Sequence, residues 1–232
     1  MLQELLTVFR SASPLKGMGE NFREMLSLSM EMIKKAGDLY FSQQITPEER
    51  TLLQKQDVRV NKLQRKIRKQ VIVHLSIAGN HQDLPYCLLL MSLVKDVERI
   101  GDYAKELADL INLADEPWPE DQLVSELTEI RSGVEADFAS TVKVMESSDR
   151  ERAIELIECG RDTVDRTEQL IENLAYSDFK AGPVTTLVLG VRFYQRIAGH
   201  VLNLLSSVVM PLHKLDYYDE KDIAKAEKKL EK

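Results

Sequence analysis

The stretch from Leu93 to Leu110, LVKDVERIGDYAKELADL, constrains the fold most, because apolar residues recur in it at steps of three and four. That spacing lines one face of an α-helix. The stripe continues one residue further and consists of Ile100, Tyr103, Ala104, Leu107, Ala108 and Ile111. A chain built around such a stripe buries one helix face against its neighbours, so the pattern predicts helix-on-helix packing.

Two acids lie on the other side of this helix. At about 100° per residue, with Ile100 taken as zero, the stripe centres near 10°, whereas Glu98 and Asp102 fall at about 160° and 200°. We therefore expect both carboxylates to point away from the core contacts of the helix. Asp96 falls at about −40°, on the stripe itself. We predict a structural role for Asp96, with a partner from a neighbouring helix or a place at the end of the stripe.

The composition favours helices and narrows the possible partners. Only 10 glycines and 7 prolines occur in 232 residues, which is few for an all-β chain with many turns. The net charge of −7 and the pI near 5.3 argue against a nucleic-acid-binding surface. The run KLQRKIRK from Lys62 to Lys69 is a local exception. We interpret it as a solvated helix face, and contact with an acidic partner is the alternative.

Six long antiparallel helices are predicted, three on each side of the tract ADEPWPE at residues 114–120, which holds two prolines in three residues. A break is expected at Pro14, Gly17 and Gly19 before the first helix. Thr46-Pro47 is a typical helix start. The six predicted helices span residues 20–41, 47–79, 85–113, 121–146, 150–176 and 183–211.

The predicted fold class is all-α, with two tandem three-helix bundles. The first bundle, with an N-terminal arm, covers residues 1–115, the second covers residues 120–212, and a charged tail covers residues 213–232. In the arm, Leu2, Leu5, Leu6 and Phe9 could pack as an amphipathic turn or two. The tail is interpreted as a short solvated helix, with a docking peptide for a partner as the alternative. His74 lies on an apolar stripe and is interpreted as a core histidine.

The two halves resemble each other in sequence. Sliding the chain by 97 positions sets Glu98-Arg99-Ile100-Gly101 against Gln195-Arg196-Ile197-Ala198. On the same slide Asp102 meets Gly199 and Glu106 meets Asn203. This is the pattern of an internal repeat in which the second copy has lost both carboxylates.

The run from Lys95 to Asp102, KDVERIGD, resembles the helix signature of the PhoU family of phosphate-uptake regulators. In that signature the final Asp is usually followed by His and, four positions on, by Asn, whereas Tyr103 and Glu106 stand here. The resemblance covers nearly the whole chain. It implies two related three-helix bundles whose Glu/Asp-x-x-x-Asp motifs can bind metal-ion clusters.

The resemblance also implies a ligand set for the first half: Glu98, Asp102, Asp57 and Asn61. Such hard oxygen ligands suit Mg²⁺, Mn²⁺, Ca²⁺ or iron, and zinc or iron would normally gain an imidazole. In the second half the corresponding residues are Arg161, Asp165, Gln195 and Gly199. One carboxylate beside an arginine does not hold a cation. We therefore expect a divalent metal or an iron cluster in the first half only; solvating surface charges are the alternative.

Other signals limit the class of protein. The sequence has no His-Glu-x-x-His helix, Gly-rich phosphate loop or nucleophile elbow, so an enzyme is not expected. His74 and His200 follow Val71 and Ile197 by three residues, which excludes the paired Glu-x-x-His motifs of a di-iron bundle. The two distant cysteines fit a reducing compartment, and no signal peptide or membrane span is recognised. A cytoplasmic protein is therefore expected, peripheral to a membrane at most.

The expected function follows from the resemblance. It implies negative regulation of phosphate uptake and homeostasis through contacts with a phosphate transporter's ATPase and a phosphate sensor kinase, and a homodimer by analogy. Three alternatives remain open. They are a metal- or phosphate-binding sensor, the regulatory module of a sodium-phosphate cotransporter, and a helical adapter unrelated to phosphate.

Overall fold

The computed structural model describes residues 14–113 and 116–216. These ranges contain six long helices and three short 3₁₀ turns, with no strand among them. The all-α prediction is confirmed. The helices are α1 Pro14–Ser42, α2 Pro47–Leu75, α3 Leu84–Asp109, α4 Gln122–Ser147, α5 Arg150–Ala175 and α6 Ala181–Val209. The 3₁₀ turns are Asn80–Asp83, Leu110–Leu113 and Leu212–Lys214.

Local capping chemistry starts three of the helices. The Thr46 hydroxyl accepts a hydrogen bond from the Glu49 amide, and the Glu49 carboxylate accepts one from the Thr46 amide, which completes a capping box before Pro47. Asp121 and Asp149 cap α4 and α5 with their carboxylates. These starts agree with the sequence prediction, because the caps depend on neighbouring residues alone.

The first helix begins earlier than the sequence indicates. A break was expected at Pro14, Gly17 and Gly19, but α1 starts at Pro14 and runs through both glycines. The reason is burial, since Leu15 and Met18 in this first turn and a half belong to the core. The packing of these side chains outweighs the cost of glycine in a helix, which is about 1 kcal/mol per residue.

One hydrophobic core runs through both halves. Helices α1, α2 and α3 pack on one another, as do α4, α5 and α6. The halves meet where α3 packs on α6 and α1 packs on α4, and we call this contact zone the seam. Whether residues 1–115 and 120–212 form separate domains stays a prediction, although the shared core joins them.

Trp118, in the tract between the two halves, packs at one end of the seam. Trp118 packs against Tyr40 with ring centroids 4.6 Å apart, and its indole Nε1 donates to Thr186 Oγ1 at 3.3 Å. Tyr40 donates its hydroxyl to the Thr186 carbonyl at 3.0 Å. The tract expected to separate the halves therefore also connects them.

Several predicted features lie outside the described residues. These are the arm at residues 1–13, the boundary at residues 114–115 and the tail from residue 217 onward. Among the residues that are described, no helix is both long and apolar enough to cross a membrane. His74 is buried as predicted, with its Nε2 2.8 Å from Asp83 Oδ2.

Candidate functional site

The predicted acids come together in the groove between α2 and α3. Asp57 on α2 faces Glu98 and Asp102 on α3 closely enough to repel both. Their side chains are only 13%, 18% and 22% exposed, respectively. Glu98 and Asp102 do point away from the apolar stripe of α3, as expected, but they are less exposed than an outward position implies. The angle on the helix was right, but α2 covers that side of α3.

Basic side chains lie beside these acids and offset part of their negative charge. Lys105 Nζ lies 3.3 Å from Asp57 Oδ2 and 3.7 Å from Asp102 Oδ1. Arg99 Nη1 lies 3.3 Å from Asp102 Oδ2, and its Nε lies 3.8 Å from Glu98 Oε2. The Arg99–Asp102 contact is the one that their three-residue spacing predicts.

The cluster remains electrostatically costly despite these pairs. Partial burial raises the pKa of Glu98, and the negative charge of Asp102 raises it further. Burial also raises the pKa of Asp102, against the opposing attraction of Lys105. Asp57 and Asp102 together outweigh the desolvation of Lys105 and raise the pKa of its ammonium group. The carboxylates thus lack full compensation, whereas the lysine is held firmly in its charged form.

The ligand set does not fit a metal ion as it is arranged. The ammonium group of Lys105 occupies the position between two of the three carboxylates that a cation would need. Among the described residues no group of three or more histidine, cysteine, aspartate or glutamate side chains is spaced to hold an ion. Asn61 is half-buried one turn beyond Asp57, and the ion pairs of the cluster do not include it. Sequence reasoning missed Lys105, although its place three residues after Asp102 was a usable signal.

The corresponding surface of the second half is a cleft with different chemistry. It has a volume of about 320 Å³ and is lined by Val164, Arg192, Gln195, Arg196, Gly199, His200 and Asn203. Gln195 and Gly199 replace Glu98 and Asp102, as the slide predicts. Gln195 Oε1 accepts a hydrogen bond from Arg192, and Gln195 Nε2 donates to Glu168 Oε1 at 3.3 Å. Arg192 was not singled out from the sequence.

A polar contact ties the two surfaces together across the seam. Asp96 is 4% exposed, and its Oδ1 lies 2.8 Å from His200 Nδ1 and accepts a hydrogen bond from Asn203 Nδ2 at 2.9 Å. The prediction that Asp96 finds a partner on a neighbouring helix is confirmed. The His200 ring also stacks on Tyr103 of α3, with centroids 5.8 Å apart.

Comparison with known proteins agrees with this architecture. Residues 22–111 match the PhoU domain family model. A relative from Synechocystis sp., the "phosphate-specific transport system accessory protein PhoU homolog", is 26% identical over 200 residues, which cover 84% of this chain and 87% of the relative.

Two crystal structures share the fold. PhoU from Pseudomonas aeruginosa has a TM-score of 0.75 at 20% identity and covers 84% of this chain and 95% of that one. The phosphate transport system regulatory protein PhoU from Streptococcus pneumoniae has a TM-score of 0.73 at 17% identity, covering 89% and 98%. With a PhoU domain matched at residues 22–111 and a PhoU homolog matched over most of its length, the resemblance of the chain to the PhoU family is confirmed.

Proposed function

We propose that this protein regulates phosphate transport, and that it does so by binding other proteins and not by catalysis. The PhoU domain match at residues 22–111 and the similarity to a Synechocystis accessory protein of a phosphate-specific transport system support the first part. The second part is supported by the open character of its clefts, since the catalytic constellations of hydrolases and metalloenzymes need convergent groups in an enclosed site.

The observation that carries the binding role is an apolar patch where α2 leads into α3. The patch consists of Ile72, Val73, Ile77, Leu84 and Leu88. These side chains are between 44% and 63% exposed. Scattered exposed apolar residues need no explanation, but five within seventeen residues around one turn support the proposal of an interaction surface here.

Charge next to the patch indicates what kind of partner would dock there. Lys62, Arg65, Lys66 and Lys69 are exposed on α2, on the approach to the apolar patch. The chain is otherwise acidic, so this segment stands out as a basic flank that suits an acidic partner. We propose the ATPase of a phosphate transporter as this partner, with a phosphate sensor kinase as the second partner, in the cytoplasm and with this protein as a homodimer.

The test is a binding assay with the purified transporter ATPase. Ile72→Glu with Ile77→Glu should weaken binding at least tenfold, because two charges would be desolvated in the interface. Val58→Glu is the matched control, since Val58 is exposed to a similar degree on the same helix but lies more than three turns earlier. The proposal fails if the native protein does not bind, or if the control and the double variant lose equal affinity.

A metal-linked sensor is the second candidate function. The oxygen chemistry of Glu98, Asp102, Asp57 and Asn61 supports it, and so does the incomplete compensation of the carboxylates. The position of Lys105 opposes it, so the ion would bind only after that side chain withdraws.

The metal content of the protein tests this second candidate. The native protein and Glu98→Gln/Asp102→Asn should be purified without chelator or affinity tag and analysed for iron and divalent metals. Near-stoichiometric metal in the native protein that is lost in the variant supports the sensor. If neither carries metal, and Lys105→Met binds none either, the acids are a structural cluster and the sensor is excluded.

A further inference from the structure

The cleft on α6 carries two arginines that have no acidic partner among the described residues. Arg192 and Arg196 are both exposed and lie four residues apart, on adjoining turns of one helix face. In the described part of the chain, the Arg192 guanidinium donates its hydrogen bond to the neutral Gln195 and forms no ion pair. Arg196 has no hydrogen bond or ion pair within residues 14–113 and 116–216. Like charges at this spacing repel each other, so the pair costs the helix stability on its own.

Many of the other described arginines are paired with acids. Six arginines in the described part of the chain pair with carboxylates, namely Arg50, Arg59, Arg99, Arg131, Arg152 and Arg166. The whole chain has 38 acidic and 31 basic lysine and arginine residues, so acids are available to pair with almost any surface cation. Two adjacent guanidinium groups without one are therefore an unbalanced charge that an external anion could neutralise.

Gly199 leaves room for such an anion. A Cβ atom added at Gly199 would meet no other atom within 4 Å, so the space above it is open. The equivalent residue in the first half is Asp102, whose carboxylate lies in the groove between α2 and α3. The second half thus lacks a carboxylate at this place and has an open position beside two cations.

The other polar groups in and around the cleft are bonded to one another. His200 is held through Nδ1 by Asp96, which leaves Nε2 as its remaining polar atom. Asn203 donates to the same carboxylate, and Glu168 is bonded to Gln195. Asp216 lies near the Asp96–His200 pair. Asp96 and Asp216 therefore lie near His200, and Glu168 lies near Gln195. None of these three acids pairs with either arginine.

We propose that this cleft binds a tetrahedral oxyanion with two negative charges, the chemistry shared by inorganic phosphate and a phosphate monoester. A guanidinium group binds carboxylate or phosphate oxygens through two parallel hydrogen bonds. Two such groups match a dianion better than a singly charged carboxylate. The volume is at the lower end of the range of about 300–1,000 Å³ for small-molecule sites. The site goes beyond the proposed function and does not depend on docking at the apolar patch.

The experiment is a titration of the full-length protein with sodium phosphate at low ionic strength, followed by NMR shifts of the Gly199 amide and of the arginine Nε–H groups. A parallel titration uses O-phosphoserine, and a third uses acetate. Arg192→Gln/Arg196→Gln should lower the affinity for the dianion at least tenfold. Arg152→Gln/Arg166→Gln is the matched control, because it removes the same charge from exposed, paired arginines on α5.

A second pair of variants tests the open position. Gly199→Asp should also lower the affinity at least tenfold, since it restores a carboxylate beside the arginines. Gly199→Asn has the same shape without the charge and should stay within about threefold of the native protein. Saturable binding of phosphate or O-phosphoserine with this pattern supports the proposal, and the better ligand identifies the source. Absence of binding by both, equal binding of acetate, or equal loss in the control arginine variant overturns it.

Discussion

Helices α3 and α6 occupy equivalent places in the two halves, and their seam residues have changed in matched pairs, whereas their outward residues have changed in charge. At an offset of 97 residues, Asp96 corresponds to Phe193 and Tyr103 corresponds to His200. Each of the two α3 residues contacts the α6 residue that corresponds to the other one. Asp96 bonds His200 at 2.8 Å, and the Tyr103 and Phe193 rings pack at 6.0 Å. The two equivalent positions of the seam are therefore both in contact, one through a polar pair and the other through an aromatic pair.

The outward faces have diverged in charge. Next to α3, two of its own carboxylates and one from α2 meet Lys105 and Arg99. On α6, a glutamine and a glycine lie beside two arginines that have no acidic partner among the described residues. A seam residue must fit a partner on the other helix, so a change on one side requires a change on the other. The outward residues are only partly covered, so a change of charge there requires fewer matching changes than on the seam.

The largest effect is expected at the seam from Gly190→Ala. A Cβ atom at Gly190 would lie 2.0 Å from the hydroxyl of Tyr40, which is buried and donates to the Thr186 carbonyl. Relief of this clash displaces Tyr40 and breaks its hydrogen bond. We expect a loss of about 3 kcal/mol in the free energy of unfolding, measured by denaturant titration.

Tyr40 supplies the control for this prediction. Tyr40→Phe removes the hydroxyl, so Gly190→Ala should cost less in a Tyr40→Phe background than in the native protein. Equal costs in the two backgrounds would mean that the contact between α1 and α6 is not tight at this point.

The next effect is expected from Asp96→Ala, which removes the polar contact of the seam. His200 and Asn203 would lose their shared acceptor, and an unsatisfied buried polar group costs about 1–3 kcal/mol. We expect a loss of about 2 kcal/mol, visible as a lower melting temperature. Asp162→Ala is the control, since Asp162 is exposed on α5. An unchanged melting temperature for Asp96→Ala would show that the contact is dispensable.

The sequence predicts these features to different degrees. The helix starts at Pro47 and Arg150 follow from caps whose donors and acceptors are close in sequence. The helical angle also shows that Asp96 needs a partner, but which residue supplies it depends on how α3 and α6 meet. The start of α1 at Pro14 was missed because burial of Leu15 and Met18 outweighs the local signal of the glycines.

The candidate sites, too, are only partly predictable from the sequence. The sequence places Asp57, Glu98 and Asp102 on helices, but the reach of Lys105 to Asp57 depends on the distance between α2 and α3. A lysine side chain is long and flexible, so spacing alone does not indicate which acid it pairs with. The arginine cleft was missed for a related reason, since an unpaired charge can be recognised only when all its neighbours are known.

On the outward face of α6, Gly199→Ala should stabilise the protein. The added methyl group meets open space, and alanine is favoured over glycine inside a helix by about 0.5–1 kcal/mol. We expect a gain of that size in denaturant titration. Gly133→Ala tests the cause, because a Cβ at Gly133 in α4 would also be almost without contacts. A loss at Gly199 together with a gain at Gly133 would show that the cleft is narrower than the structure indicates.

The smallest effect is expected on the outward face of α3. Since folding raises the pKa of Glu98, the folded state binds its proton more readily than the unfolded state, and the ionised side chain lowers stability at neutral pH. Glu98→Gln should therefore raise the free energy of unfolding by about 0.2–0.5 kcal/mol at pH 7, the size of a like-charge pair four residues apart. The measurement is denaturant titration of native and variant protein at several pH values.

The pH dependence separates this cause from a change in packing. The gain should be full above the raised pKa, shrink as the pH falls through it, and vanish below about 4, the ordinary value for a glutamate, where the native carboxyl is protonated in both states. Glu158→Gln is the control, since Glu158 is exposed on α5. A gain that persists at pH 3 would mean that glutamine packs better, whereas a loss at pH 7 would mean that Arg99 and Arg68 attract Glu98 more strongly than Asp102 and Asp57 repel it. In that second case the two outward faces would differ in how well their charge is balanced as well as in its sign.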